Sequence, residues 1–98
     1  MNNLSKLRKD IDKCDRELIN IFSKRFSVVK KVALYKKERN LKSFDPKRWR
    51  EVVDKMMLLS KKNKIPEKFV QSILDSILKE SLRIEENIIS KNSKYVKK

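Results

Sequence analysis

The stretch LSKLRKDIDKCDRELINIFSKRFSVVKKVALYKKER, residues 4–39, has no glycine or proline, and its apolar positions recur without a break. Counting from Arg8 in steps of three and four gives Ile11, Asp15, Leu18, Phe22, Arg25, Val29, Val32 and Lys36. Steps of that size keep residues on one helical face, so a single helix is expected from about Leu4 to Arg39. At 1.5 Å per residue it would be on the order of 50 Å long. A helix of that length cannot fold back on itself, and its far half needs another chain or further helices to cover it. Arg8, Arg25 and Lys36 share the stripe with its apolar residues and are expected to point inward with them. A cation among apolar neighbours is costly without a counter-charge. Asp15 is the single acid on the line, so at least two of these charges call for an anion that is not part of the protein.

Outward from this stretch, Asn40 to Phe44 reads as a loop. Asp45-Pro46 then starts a second helix, because Asp accepts hydrogen bonds as N-cap and Pro suits the first helical position. That helix is expected to reach about Lys62, with Val52, Val53, Met56, Met57 and Leu59 facing inward. Asn63 to Ile65 breaks it, and Pro66-Glu67 opens a third helix to about Ile89. Its apolar line runs Val70, Leu74, Ile77, Ser81, Glu85, Ile88. Ser81 and Glu85 interrupt this line one turn apart. Each either marks where the stripe reaches solvent or belongs to a site, and a salt bridge is a third role open to Glu85. From Ser90 onward the chain turns polar and basic. The expected organisation is one helical domain over residues 1–90 and a basic, disordered tail over 91–98, with no internal repeat.

Composition narrows the function. The chain has 98 residues, no glycine, two prolines, no histidine and one cysteine. That is enough for one small domain with a modest core. Without glycine, tight hairpins are hard to build, so the fold class is all-α. A lone Cys14 excludes an intrachain disulfide and reads as a small buried hydrophobe on the apolar side of the first helix. One cysteine and no histidine cannot assemble a zinc or transition-metal site. No apolar run of signal-peptide or membrane-spanning type occurs, which makes a cytoplasmic setting the default. The net charge of +14 fits either a lysine-rich solvated surface or a polyanionic partner. Few aromatics and no glycine loop argue against the familiar nucleic-acid modules.

Four pieces of sequence together resemble a known family, the all-helical class of chorismate mutases. They are Leu7-Arg8 with Ile11, Asp15 and Leu18; Arg25 with Lys36 eleven residues on; Asp45-Pro46-Lys47-Arg48, like the family's D-P-x-R; and Glu80-Ser81 with Glu85. The resemblance covers about residues 4–89. It implies three helices in an intertwined homodimer, with the long first helices packed together and two equivalent sites. Arg8 would reach into the partner's site, and Arg25, Lys36, Arg48, Ser81 and Glu85 would come from one chain, with Asp45 and Trp49 beside them. It also implies the conversion of chorismate to prephenate without a cofactor. That Claisen rearrangement breaks a C–O bond as a C–C bond forms within one molecule, so it needs neither nucleophile nor metal. The substrate carries two carboxylates, and negative charge grows on its ether oxygen in the transition state. Arg8 and Arg25 suit bidentate grips on the carboxylates, Arg48 helps order them, and Lys36 would donate to the ether oxygen.

Two positions depart from the better-studied relatives. Glu85 stands where bacterial members carry Gln as the second donor to the ether oxygen. A carboxylate would repel that oxygen, so Glu85 has to carry a proton, which burial and a bound dianion favour. Trp49 stands where members usually place a Glu that accepts from the substrate's ring hydroxyl. An indole cannot accept that bond. Trp49 either walls the pocket, at a cost of about 1–2 kcal/mol for the lost contact, or signals another ring substituent, as in 4-amino-4-deoxychorismate or isochorismate. A lyase acting on isochorismate, a mutase for the amino analogue, a regulatory mutase-like subunit and a non-catalytic basic helical module are the alternatives.

Overall fold

A computed structural model describes residues 3–97, and the side chains of residues 3–90. Three helices follow one another: α1 over Asn3–Glu38, α2 over Pro46–Lys62 and α3 over Glu67–Lys97. Among the described residues, α1 and α2 each pack on α3 and not on each other. The result is an elongated body of 64 × 28 × 16 Å. No described helix is long and apolar enough to cross a membrane.

Helix ends follow from local chemistry. Asp45 is the N-cap of α2, its side chain accepting from the Arg48 amide at 3.2 Å, and Pro46 occupies the first turn. Both inter-helix turns close without glycine. Asn40 and Lys64 take positive φ, at 56° and 57°. In each turn the amide three residues past the helix end bonds back five residues, Leu41 to the Lys36 carbonyl at 2.9 Å and Ile65 to the Ser60 carbonyl at 3.0 Å. This is the Schellman arrangement, which normally places glycine at the left-handed position. Asn tolerates that conformation; Lys pays a steric penalty of about 1–2 kcal/mol. Lys64→Gly is therefore expected to raise stability by about 0.5–1 kcal/mol after glycine's own entropic cost. A urea midpoint that moves up at constant slope checks it.

The core of one chain is small. Among the described residues Ala33, Leu74 and Ile84 are the buried apolar ones, joined by Ser60, Ser81 and Glu85. Along α3 the expected inward line holds, since Val70, Ile77 and Ile88 are half-buried and Leu74, Ser81 and Glu85 buried. Ser81 and Glu85 thus do not mark an exit to solvent. On α2, Val52, Val53, Met56 and Met57 are half-buried, but Leu59 is 50% exposed and corrects the expected face.

The largest correction concerns the first half of α1. Arg8, Asp15 and Cys14 are exposed in the single chain, as are Leu7, Ile11 and Leu18 at between 55% and 58%. The stripe turns inward only at Phe22, Arg25 and Val29, because α3 covers the C-terminal half of α1 alone. Cys14 is accordingly not a buried hydrophobe within one chain. The far end of α3 differs too. It runs to Lys97 rather than stopping near Ile89, so the backbone of the segment expected to be disordered is helical. No glycine or proline follows Pro66 to end that helix.

Candidate functional site

The three helices line a partly open pocket of about 710 Å³. From α1 it takes Arg25, Val29, Val32 and Lys36, spaced three and four apart so that one face supplies all of them. From the start of α2 come Asp45, Arg48, Trp49 and Val52, again one face, set in register by the Asp45 cap. From α3 come Leu78, Ser81, Leu82 and Glu85. Seven of the eight expected site residues therefore meet in one place. Arg8 does not line it; in the single chain it lies on the exposed half of α1.

Two contacts organise the polar part. Lys36 Nζ donates to Glu85 Oε1 at 2.7 Å and to the Ser43 carbonyl at 2.5 Å. The Lys36 and Glu85 side chains are 16% and 10% exposed, which makes theirs the most buried ion pair among the described residues. Arg25 Nη1 donates to Ser81 Oγ at 3.4 Å. No carboxylate pairs with Arg25 among the described residues. Burial first, and the positive charge of Arg48 second, hold its guanidinium below the usual arginine range. Two arginines that repel each other across a pocket, one half-buried against a neutral hydroxyl, favour an anion between them. Arg48 itself is exposed, with Glu51 Oε1 at 3.4 Å from its Nη1.

The expectation that the stripe cations lack internal partners holds for Arg25 and is corrected for Lys36, which Glu85 neutralises. That pair also orients Glu85. Because Oε1 accepts from Lys36, a proton on this carboxyl must sit on Oε2, and only Oε2 can donate to a bound molecule. Trp49 is half-buried and walls the pocket with Val52 and Phe44. Sequence reasoning missed Ser43, whose contribution is a main-chain carbonyl and leaves no side-chain signal. It also missed Lys24 and Tyr35 on the pocket's α1 edge. Each directly precedes a residue already singled out, but their exposure to solvent masks any pattern.

Residues 7–86 match the family model described as chorismate mutase type II. The chain is 30% identical over 91 residues to a bifunctional chorismate mutase/prephenate dehydratase of Aquifex aeolicus, covering 90% of this chain and 25% of that protein. It is 32% identical over 81 residues to the T-protein of Haemophilus influenzae, covering 83% and 22%. A 4-amino-4-deoxychorismate mutase of Streptomyces venezuelae is 26% identical over 92 residues, covering 94% and 89%. The chain thus spans about a quarter of the length of the first two relatives and nearly all of the third.

Proposed function

The chain belongs to the type II chorismate mutase family, and from that premise we propose that it converts chorismate to prephenate, toward phenylalanine and tyrosine. The observation that carries this reading is the pairing of a half-buried, carboxylate-free Arg25 with the Lys36–Glu85 pair in one pocket. The two substrate carboxylates lie against Arg25, Arg48 and a second chain's Arg8, which holds the ether folded over the ring and the reacting carbons in contact. Lys36 Nζ and a protonated Glu85 Oε2 then meet the negative charge that develops as the C–O bond breaks. Both electrons of the new C–C bond come from the substrate, so the protein supplies position and charge alone.

A homodimer completes the site in this reading. Leu4, Leu7, Ile11 and Leu18 lie exposed on the same half of α1 as Arg8. This uncovered face leads into a groove of about 520 Å³ lined by Phe22, Phe26, Phe69, Ile73 and Ile77. Apolar surface of that extent favours burial by a second copy, which carries Arg8 across the interface. Wild-type protein should consume chorismate, followed by loss of its ultraviolet absorbance, while Arg8→Ala and Arg25→Ala are each inactive. Co-refolding the two variants in equal amounts should restore about a quarter of wild-type activity, since half of the dimers are mixed and each has one intact site. Mixtures as inactive as their parents would remove Arg8 from the partner's site.

Trp49 and the Streptomyces venezuelae relative favour a second reading, rearrangement of 4-amino-4-deoxychorismate in the same pocket. A higher kcat/KM for the amino compound than for chorismate would select it.

A further inference from the structure

Lys36 and Arg48 belong to helices that do not pack together. Among the described residues α1 and α2 each rest on α3 alone, yet one pocket draws side chains from both. The connection over residues 39–45 has to relate them. Its backbone bonds, from Arg39, Asn40 and Leu41, all return to the end of α1. Between Glu38 and Arg48 every residue is exposed except Ser43, which is half-buried. Ser43 makes two contacts beyond the loop: its carbonyl accepts from Lys36 Nζ at 2.5 Å, and its hydroxyl donates to Glu86 Oε2 at 3.5 Å. One loop residue thus touches both α1 and α3.

A lysine ammonium carries three rotatable N–H donors on a flexible stem. The Glu85 carboxylate by itself leaves those donors free to turn about the line from Nζ to Oε1. A second acceptor off that line removes the freedom, so the third N–H has one direction. Among the described residues Nζ has no acceptor besides Glu85 and Ser43, and the Lys36 side chain lines the pocket. We propose that Ser43 is a positioning residue: its hydroxyl on Glu86 fixes the loop, and its carbonyl on Lys36 aims the remaining N–H at the bound molecule. This deepens the proposed rearrangement and rests on it. The carbonyl takes no part in the bond changes. A donor already aimed at growing negative charge need not reorganise as that charge appears, and the carbonyl supplies this aim. The hydroxyl contact is long and exposed, so its removal leaves the fold in place.

The test is a cycle of variants read as kcat and KM for chorismate, with helix content checked by circular dichroism. Ser43→Ala should lower kcat about tenfold and move KM by less than about threefold, since a small misplacement of a catalytic donor acts on the rate. Ser43→Thr keeps the hydroxyl and should restore most of the loss. Glu86→Ala should match Ser43→Ala, and the double variant should be no slower than either single one. The deciding arm uses Lys36→Met, in which Ser43→Ala should cause no further fall. An equal further fall in that background means that Ser43 acts through the fold at large, and overturns the assignment; so does an unchanged kcat in Ser43→Ala. Synthetic protein with an ester in place of the amide between Ser43 and Phe44 weakens the carbonyl as an acceptor and alters no side chain. It should be about three- to tenfold slower, and an undiminished kcat there also overturns the assignment. Absence of chorismate turnover by wild-type protein removes the rearrangement itself, and this role with it.

Discussion

Lys36→Met should lower kcat for chorismate by about 10²–10³-fold, the usual cost of removing one donor from a developing oxyanion. The substitution retains a flexible apolar stem of similar length and deletes only the ammonium. That ammonium has two partners inside the chain, Glu85 Oε1 and the Ser43 carbonyl, which leaves one N–H to face a substrate. Its loss also unties the α1–α2 loop from α3, because Ser43 is held to the bundle at this point and by its hydroxyl to Glu86 Oε2 at 3.5 Å. Some rise in KM is therefore expected beside the fall in kcat. The decisive readout is the split between the two: an interaction made only in the transition state lowers kcat and kcat/KM together. If KM rises with kcat untouched, Lys36 binds the ground state and does not act on the breaking bond. Lys30→Met, an exposed position outside the pocket, is the control for a general effect of charge.

Turnover should fall as the solution becomes alkaline, and Glu85→Gln should remove that fall. In the proposed mechanism the reason is a proton on Oε2. With it, Glu85 donates to the ether oxygen; without it, a carboxylate faces growing negative charge. Several charges bear on this group. Lys36 on α1 touches it, Arg25 and Arg48 line the same pocket from α1 and α2, and Glu86 is its neighbour on α3. A glutamine holds its NH2 at every pH and can still accept from Lys36 through its carbonyl oxygen. A wild-type profile that stays level or rises from mildly acidic to alkaline conditions removes Glu85 from the donor role.

The three helices were legible because their signals are local. A run without breakers, the pair Asp45-Pro46 and the pair Pro66-Glu67 each act within a turn or two of chain. The left-handed positions at Asn40 and Lys64 were not legible, since no glycine marks them and the backbone bonds of each turn decide them. Most of the pocket could be read for a related reason. Residues 25 and 36, 45 and 48, and 81 and 85 each sit at helical spacing, so placing the helices places the side chains. The pairing of those side chains could not be read, because Lys36 and Glu85 are 49 positions apart.

By itself the sequence determined which residues are helical along most of the chain, which face of each helix carries charge among apolar neighbours, and that those charges want an anion. Periodicity, capping chemistry and the price of desolvation act on neighbours along the chain, and so are written in it. Tertiary structure alone decided that Glu85 answers Lys36, that a main-chain carbonyl at Ser43 shares the ammonium, and that Arg25 keeps only a hydroxyl. It also decided that α3 covers half of α1 and leaves Leu7, Ile11 and Leu18 bare. Those outcomes depend on how long rods cross in space, and a stripe of apolar residues states that a face will be covered without stating by what.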